Sequence, residues 1–265
     1  MNEQFWERLG KKKEPSWYLD PITARQKRDA HLKVIREWMK GIKVNRILKT
    51  DLFEEAFGED SLLELLFPGA TLVCGLDAAF STARNALRRH RQKISSFACD
   101  VRHLGLQDCS IDLIVSTSTL DHFDVRGDFL AALAELARVL RPGGLLVITL
   151  DNLWNPLYPL LRWLSVKGVG PYPLGYTPSA TCLEKDLRTV GLQPEKRGWL
   201  IHNPRAVSTL LFLGLRKLLW RRAADEAIRL LQKVFDWQSG LPTRRFTACF
   251  VALAARKPRE GKQGL

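Results

Sequence analysis

Cysteine is sparse and unpatterned in this chain. The five residues Cys74, Cys99, Cys109, Cys182 and Cys249 are scattered, odd in number and without a C-x-x-C pair. Neither a disulfide framework nor a zinc site is indicated, no metal is expected, and a reducing, cytoplasmic setting fits best. Long apolar runs are also missing. The greasiest stretch, VSTLLFLGLRKLLW, is broken by Arg216 and Lys217 and is too short to span a bilayer. The opening segment, MNEQFWERLGKKKEPSWYLDP, has no apolar core of the kind a secretory leader carries. Glycine is absent where a nucleotide-binding sheet would want it. The stretch VNRILKTDLFEEAFGED begins like a first strand, but no G-x-G-x-x-G follows and no Walker lysine motif is present. That argues against a pyrophosphate cradle for NAD or ATP. Asp51, Glu54 and Glu55 occupy the turn instead, a charge that repels phosphate and attracts a cation.

What is present suffices for a sizeable core. With 265 residues and 46% hydrophobic content, one large α/β domain with appendages is expected. The formal net charge of +13 favours anionic partners: nucleic acid, an acidic membrane surface or acidic metabolites.

Residues 1–43 read as a helical N-terminal arm or lid, with Asp20 capping and Pro21 opening a helix that runs to Gly41. From Val44 the pattern alternates. Short apolar runs (VNRIL, TLVCGL, ISSFAC, IDLIVS, GLLVITL) are separated by amphipathic, helix-length stretches near Leu62 to Phe67, Phe80 to His90 and Arg126 to Leu140. This is the rhythm of a doubly wound, mostly parallel sheet. The last of these helices is expected to end at RPGG, where Pro142 and the two glycines turn the chain into the next strand. A helix ATCLEKDLRTVG, a strand near LQPEKRGWLIH and a final strand RFTACFVALAARKP complete the domain over 44–257. Cap insertions fall at about 152–178 and 204–240, and residues 258–265 read as a flexible tail.

Ligands in such sheets sit beyond the carboxyl ends of the strands. The first tip carries Lys49, Thr50, Asp51 and Glu54; the second carries Asp77 and Ala78; the third Asp100 and Val101; the fourth Ser116 and Thr117, then Asp121 and His122. An acid at the second tip suits a ribose diol, and an acid at the third suits the exocyclic amine of a purine. Any one of these acids alone more often caps a helix or faces water.

These tips resemble those of the class I S-adenosylmethionine-dependent methyltransferases. The resemblance is carried by TLVCGLDAAFSTARNAL, FACDV, IDLIVSTSTLDHFD and, most specifically, ALAELARVLRPGGLLVITLDN. It implies a Rossmann-like seven-stranded sheet with its last strand antiparallel, and S-adenosyl-L-methionine as cofactor with S-adenosyl-L-homocysteine as product. By it, Asp77 and Ala78 hold the ribose, Asp100 and Val101 the adenine, and Ser116 and Thr117 the methionine end. The departure is the first turn, where Asp51 matches the family's acid but Leu52, Phe53 and Glu54 stand in place of glycines. A methyl donor without phosphates tolerates this, since its ammonium can pair with Asp51, Glu54 or Glu55. Those glutamates equally suit a plain helix start, where negative charge complements the dipole.

Methyl transfer from a sulfonium needs alignment more than a base. If a base is used, His122 is placed for it, with Asp121 to orient it; packing against the adenine or the following helix is the competing role for His122, and capping the helix that contains Phe129 the competing role for Asp121. Candidate acceptor contacts are Asn152, Trp154, Tyr158, Tyr172 and Tyr176, which suggest a small apolar or aromatic acceptor. A nucleic-acid methyltransferase and a non-catalytic relative are the alternatives, and an anionic membrane surface is a candidate partner of the leucine-rich, basic segment near Leu210 to Arg222. No obligate partner chain is implied.

Overall fold

The computed structural model describes residues 3–11, 20–66, 69–90, 93–169 and 173–259. Its centre is a seven-stranded sheet in the order β3-β2-β1-β4-β5-β7-β6. The strands are β1 Arg46–Lys49, β2 Leu72–Asp77, β3 Ser95–Ala98, β4 Ile111–Thr117, β5 Leu140–Asp151, β6 Gln193–Leu200 and β7 Phe250–Arg256. The first five run parallel, and β7 is antiparallel to both β5 and β6. The expected doubly wound, mostly parallel sheet is therefore found. Every residue of β4 is buried, as a central parallel strand covered on both faces requires.

Helices cover the two faces. On one, α6 (Arg126–Val139) and α8 (Ala180–Thr189) press Phe129, Leu133, Leu136, Leu183 and Leu187 onto Leu48, Ile114 and Ile148. On the other, α2 (Pro21–Trp38), α4 (Leu63–Leu66) and α5 (Phe80–Arg89) close over Ile47, Val115 and Val147. Helix α2 starts as its sequence dictates, with the Asp20 carboxylate accepting the Ile22 amide at 2.9 Å.

Two expectations are corrected. RPGG is not a turn between helix and strand: Leu140 already pairs with Ile111, and Leu145 resumes pairing with Leu113. The four residues between them form a bulge inside β5, with Gly143 at φ +79°. The final strand is shorter than its apolar pattern, because Arg244–Thr247 forms a helical turn (α11) before β7. The second insertion consists of α9 (Arg205–Leu218) and α10 (Arg221–Trp237); the first contains α7 (Tyr158–Val166). A nine-residue helix, α1 (Glu3–Lys11), and a short one after β1, α3 (Phe53–Phe57), complete the helices that bear on the strand tips.

Candidate active site

The turn after β1 is held by side chains where glycine backbone would otherwise shape it. Lys49 is fully buried, and its ammonium donates to the carbonyl of Asp51 and, at 2.8 Å, to Glu54. The second oxygen of Glu54 accepts from Lys27 of α2 at 2.8 Å, and Lys27 also reaches Asp60 at 2.9 Å. Glu55, also fully buried, accepts from Ser61 and the amides of Leu62 and Leu63, with His90 3.3 Å away. Burial would push the Lys49 ammonium down, but the charges of Glu54, Glu55 and Asp51 outweigh it and hold it charged well above the usual range. For Glu54 the balance falls the same way, with burial overcome by Lys27 and Lys49. Lys49 and Glu54 are thus corrected as cofactor contacts: they lie beneath the turn and brace it. Glu55 likewise faces inward, 3.9 Å from the Lys49 ammonium.

Above the turn the strand tips converge on one cleft, lined by Thr50, Asp51, Leu76, Asp77, Ala78, Cys99, Val101, Thr119 and His122. Asp77 spans two turns. One oxygen accepts the Ala79 amide at 2.8 Å and the other the Leu52 amide at 3.2 Å. Leu52 comes this close because Gly75 of β2 leaves a notch: a Cβ there would lie 2.3 Å from a Leu52 methyl. Burial, and then the neighbouring charge of Asp51, raises the Asp77 carboxyl to about 7. Burial followed by Glu54 raises Asp51 to about 6. Thr50 joins the fourth tip through 2.9 Å hydrogen bonds to Ser116 and Thr119.

Other predicted residues serve differently. Asp100 is clasped by the guanidinium and amide of its neighbour Arg102, which holds it below the usual carboxylate range against the upward push of burial. Val101, not Asp100, faces the cleft. Ser116 and Thr117 are buried under Thr50 and Thr119 rather than on the lining. The Asp121 carboxylate accepts the Asp151 amide at 3.0 Å and fastens the end of β4 to that of β5. His122 Nδ1 lies 2.8 Å from the carbonyl of Pro173, so that nitrogen carries the proton and Nε2 is the basic one. The Asn152 amide donates to the carbonyls of Arg245 and Ala248, which makes it a brace for α11. Tyr158 is buried, Tyr176 packs edge-on to Phe129 at 5.5 Å, and Trp154 is exposed beside Phe246 at 6.2 Å. Tyr172 lies outside the described residues.

Trp6 is the cleft residue that the periodicity did not single out. It comes from α1, stands 4.8 Å from the His122 ring and completes the lining. Helix α1 is latched to α5: Glu7 accepts the Ser81 amide at 3.1 Å, Leu9 is buried, and Gly10 sits where a Cβ would strike Ser81 and Thr82. Under this roof the cleft measures about 40 Å³, room for a few waters and far below the several hundred Å³ of a typical ligand site. A larger depression of about 560 Å³ runs along α2, lined by Asp29, Leu32, Lys33, Arg36, Glu37 and Lys40. Its lining comes from the one helix α2 and touches no strand tip, so the chemistry belongs to the smaller cleft. Among the described residues no cluster of His, Cys, Asp and Glu is arranged to hold a metal ion.

Residues 54–148 match the methyltransferase domain family. No curated protein matches the chain. Among solved structures, the N-methyltransferase NodS from Bradyrhizobium japonicum WM9, in complex with S-adenosyl-L-homocysteine, aligns with TM-score 0.59 and 18% identity over 97% of this chain and 98% of that one. Phosphoethanolamine N-methyltransferase 2 from Haemonchus contortus, with S-adenosyl-L-methionine, gives 0.56 and 14%, covering 91% of this chain and 58% of that one. The [4+2]-cyclase SpnF gives 0.57 and 16% over 97% and 93%. At these identities the likeness is one of fold.

Proposed function

The chain carries a methyltransferase domain on the fold of the class I S-adenosylmethionine-dependent methyltransferases, and on that premise we propose that it methylates a small apolar or aromatic acceptor at the cleft over the β1, β2, β3 and β4 tips. The observation that supports this most is the convergence of Asp51, Asp77, Val101, Thr119 and His122 on one cleft. S-adenosylmethionine supplies a methyl group already activated on a sulfonium. The donor set fits it: Asp77 suits the ribose hydroxyls, Val101 and Leu76 offer an apolar wall for adenine, and Asp51 with Thr50 suits the ammonium. A carboxyl held near neutrality by burial gains most from hydrogen-bond donors that favour its ionised form.

The size of the cleft adds a step. Trp6 roofs it, so α1 lifts from α5 before a nucleoside enters, and α1 acts as a lid. His122, with Nε2 basic, takes a proton from the acceptor, and Pro173 keeps its ring oriented. Trp154, exposed just after β5, and the half-buried Phe246 of α11 beside it suit an aromatic or apolar body.

Calorimetry with S-adenosylhomocysteine tests this reading. The wild type binds, Asp77→Asn weakens binding about tenfold or more, and Trp6→Ala strengthens it. A second reading, a non-catalytic member of the family, is favoured by the side-chain-filled first turn and the 40 Å³ cleft. It predicts no heat from either wild type or Trp6→Ala.

A further inference from the structure

Helices α9 and α10 are apolar on two sides. The inward side of α9 buries Ser208 and Phe212, and that of α10 buries Ala224, Ile228 and Gln232, with Gln232 bonded to Thr23 of α2 at 3.2 Å. The opposite side of α9 presents Val207, Leu210, Leu211 and Leu218 at helical spacing, with Leu210 70% exposed. The opposite side of α10 presents Leu230, Val234 and Trp237. At the elbow between the helices, Leu218 and Trp220 are each 82% exposed. Soluble surfaces do not ordinarily leave leucine and tryptophan continuous with water in this way.

Cations ring the elbow. Lys217, Arg221 and Arg222 flank Leu218–Trp220 and make no ion pair among the described residues, whereas Arg216 is paired inward with Asp20 and Asp225. The first turn of α10 holds no acid and its N-cap no side-chain bond. Two arginines at that end oppose the helix dipole, a local cost that an external anion offsets. We propose that the α9–α10 elbow docks on an anionic lipid bilayer, with Leu218 and Trp220 in the interface and Lys217, Arg221 and Arg222 against the headgroups. No helix among the described residues is long and apolar enough to cross a membrane, so the attachment is peripheral. Charge selects this occupant. A second copy of a chain with net charge +13 would bring the same cations together, and a nucleic acid would leave Leu218 in water. This inference does not depend on the methyl-transfer reading.

Flotation of the full chain with phosphatidylcholine vesicles, with and without phosphatidylglycerol, tests it. The chain is expected to float with the anionic vesicles alone, and to be released by high salt. Replacing Lys217, Arg221 and Arg222 by glutamine should weaken partitioning about fivefold per residue. Leu218→Ser with Trp220→Ser should weaken it about tenfold or more at an unchanged thermal midpoint, since both side chains are exposed. Equal binding to neutral vesicles, or full binding by the serine variant, overturns the proposal. So does a dimer abolished by those serines without any vesicle binding, or salt-sensitive RNA binding that the serines leave intact while vesicles are ignored.

Discussion

Replacing Lys49 by methionine probes how the first turn is held. The lysine is fully buried, 2.8 Å from Glu54 and 3.9 Å from Glu55. Methionine nearly matches its length but carries no charge and no donor, so what is lost is the ion pairing and the bond to the Asp51 carbonyl. Each glutamate keeps other partners: Glu54 keeps Lys27, and Glu55 keeps Ser61, His90 and two backbone amides. The cost therefore belongs at the lower end of the range for breaking a buried pair, about 3 kcal/mol. In a domain of this size that lowers the midpoint by roughly 6–12 °C. Urea unfolding followed by circular dichroism at neutral pH measures it. Adding Glu54→Gln should restore about half or more of the loss, because it removes the carboxylate that the first change left undercompensated, while Lys27 keeps Asp60. A Lys49→Met cost below about 1 kcal/mol, or a double variant no better than the single one, would refute the claim that this network shapes the turn.

His31 is buried with its Nδ1 proton on the Lys27 carbonyl at 2.7 Å, and burial drops its pKa to about 4. The unfolded chain binds a proton there below about 6.5 and the folded chain does not. Stability is therefore lost as pH falls from 6.5 towards 4, by up to roughly 3 kcal/mol, and His31→Leu should flatten that limb of a denaturation-versus-pH series. Asp77 has the opposite sign. Its proton is held up to about 7 when folded and released near 4 when unfolded, so it lowers stability as pH rises through that window. Homocysteine-product affinity should climb about tenfold between pH 6 and 8, and Asp77→Asn should abolish the climb in calorimetry. Removing residues 1–11 should speed binding of the same nucleoside in stopped flow by about tenfold; an unchanged rate would dismiss α1 as a lid. His122→Ala should lower single-turnover methyl transfer about a hundredfold with nucleoside affinity retained, and a loss confined to affinity would make His122 a packing residue.

The strand tips were legible because short continuous apolar runs mark buried parallel strands, and a strand end in a parallel sheet faces the cleft. Asp51 and Asp77 follow from that, while Val101 came with the family resemblance; all three line the cleft. The roles of Lys49 and Glu54 did not follow, since the direction of a buried charge depends on a partner far away in sequence, here Lys27 on α2. Asp100 faces the wrong way for a similarly local reason: Arg102, two residues on, claims it. Trp6 reaches the cleft through the docking of α1 on α5, a tertiary contact that no periodicity encodes. The direct passage from α6 into β5 was hidden because Pro142 and two glycines normally announce a turn, and a bulge uses the same residues.

The notch at Gly75 and the leucine seated in it make the two ways of building this loop non-interchangeable. Grafting a glycine-rich sequence onto positions 52–55 would empty the notch, strip both glutamates from Lys49 and leave a fully buried ammonium with the Asp51 carbonyl but neither glutamate carboxylate. A protein engineer wishing to revert this loop would have to replace Lys49 in the same step and rebalance Lys27, which loses Glu54, so the two forms are separated by several simultaneous changes.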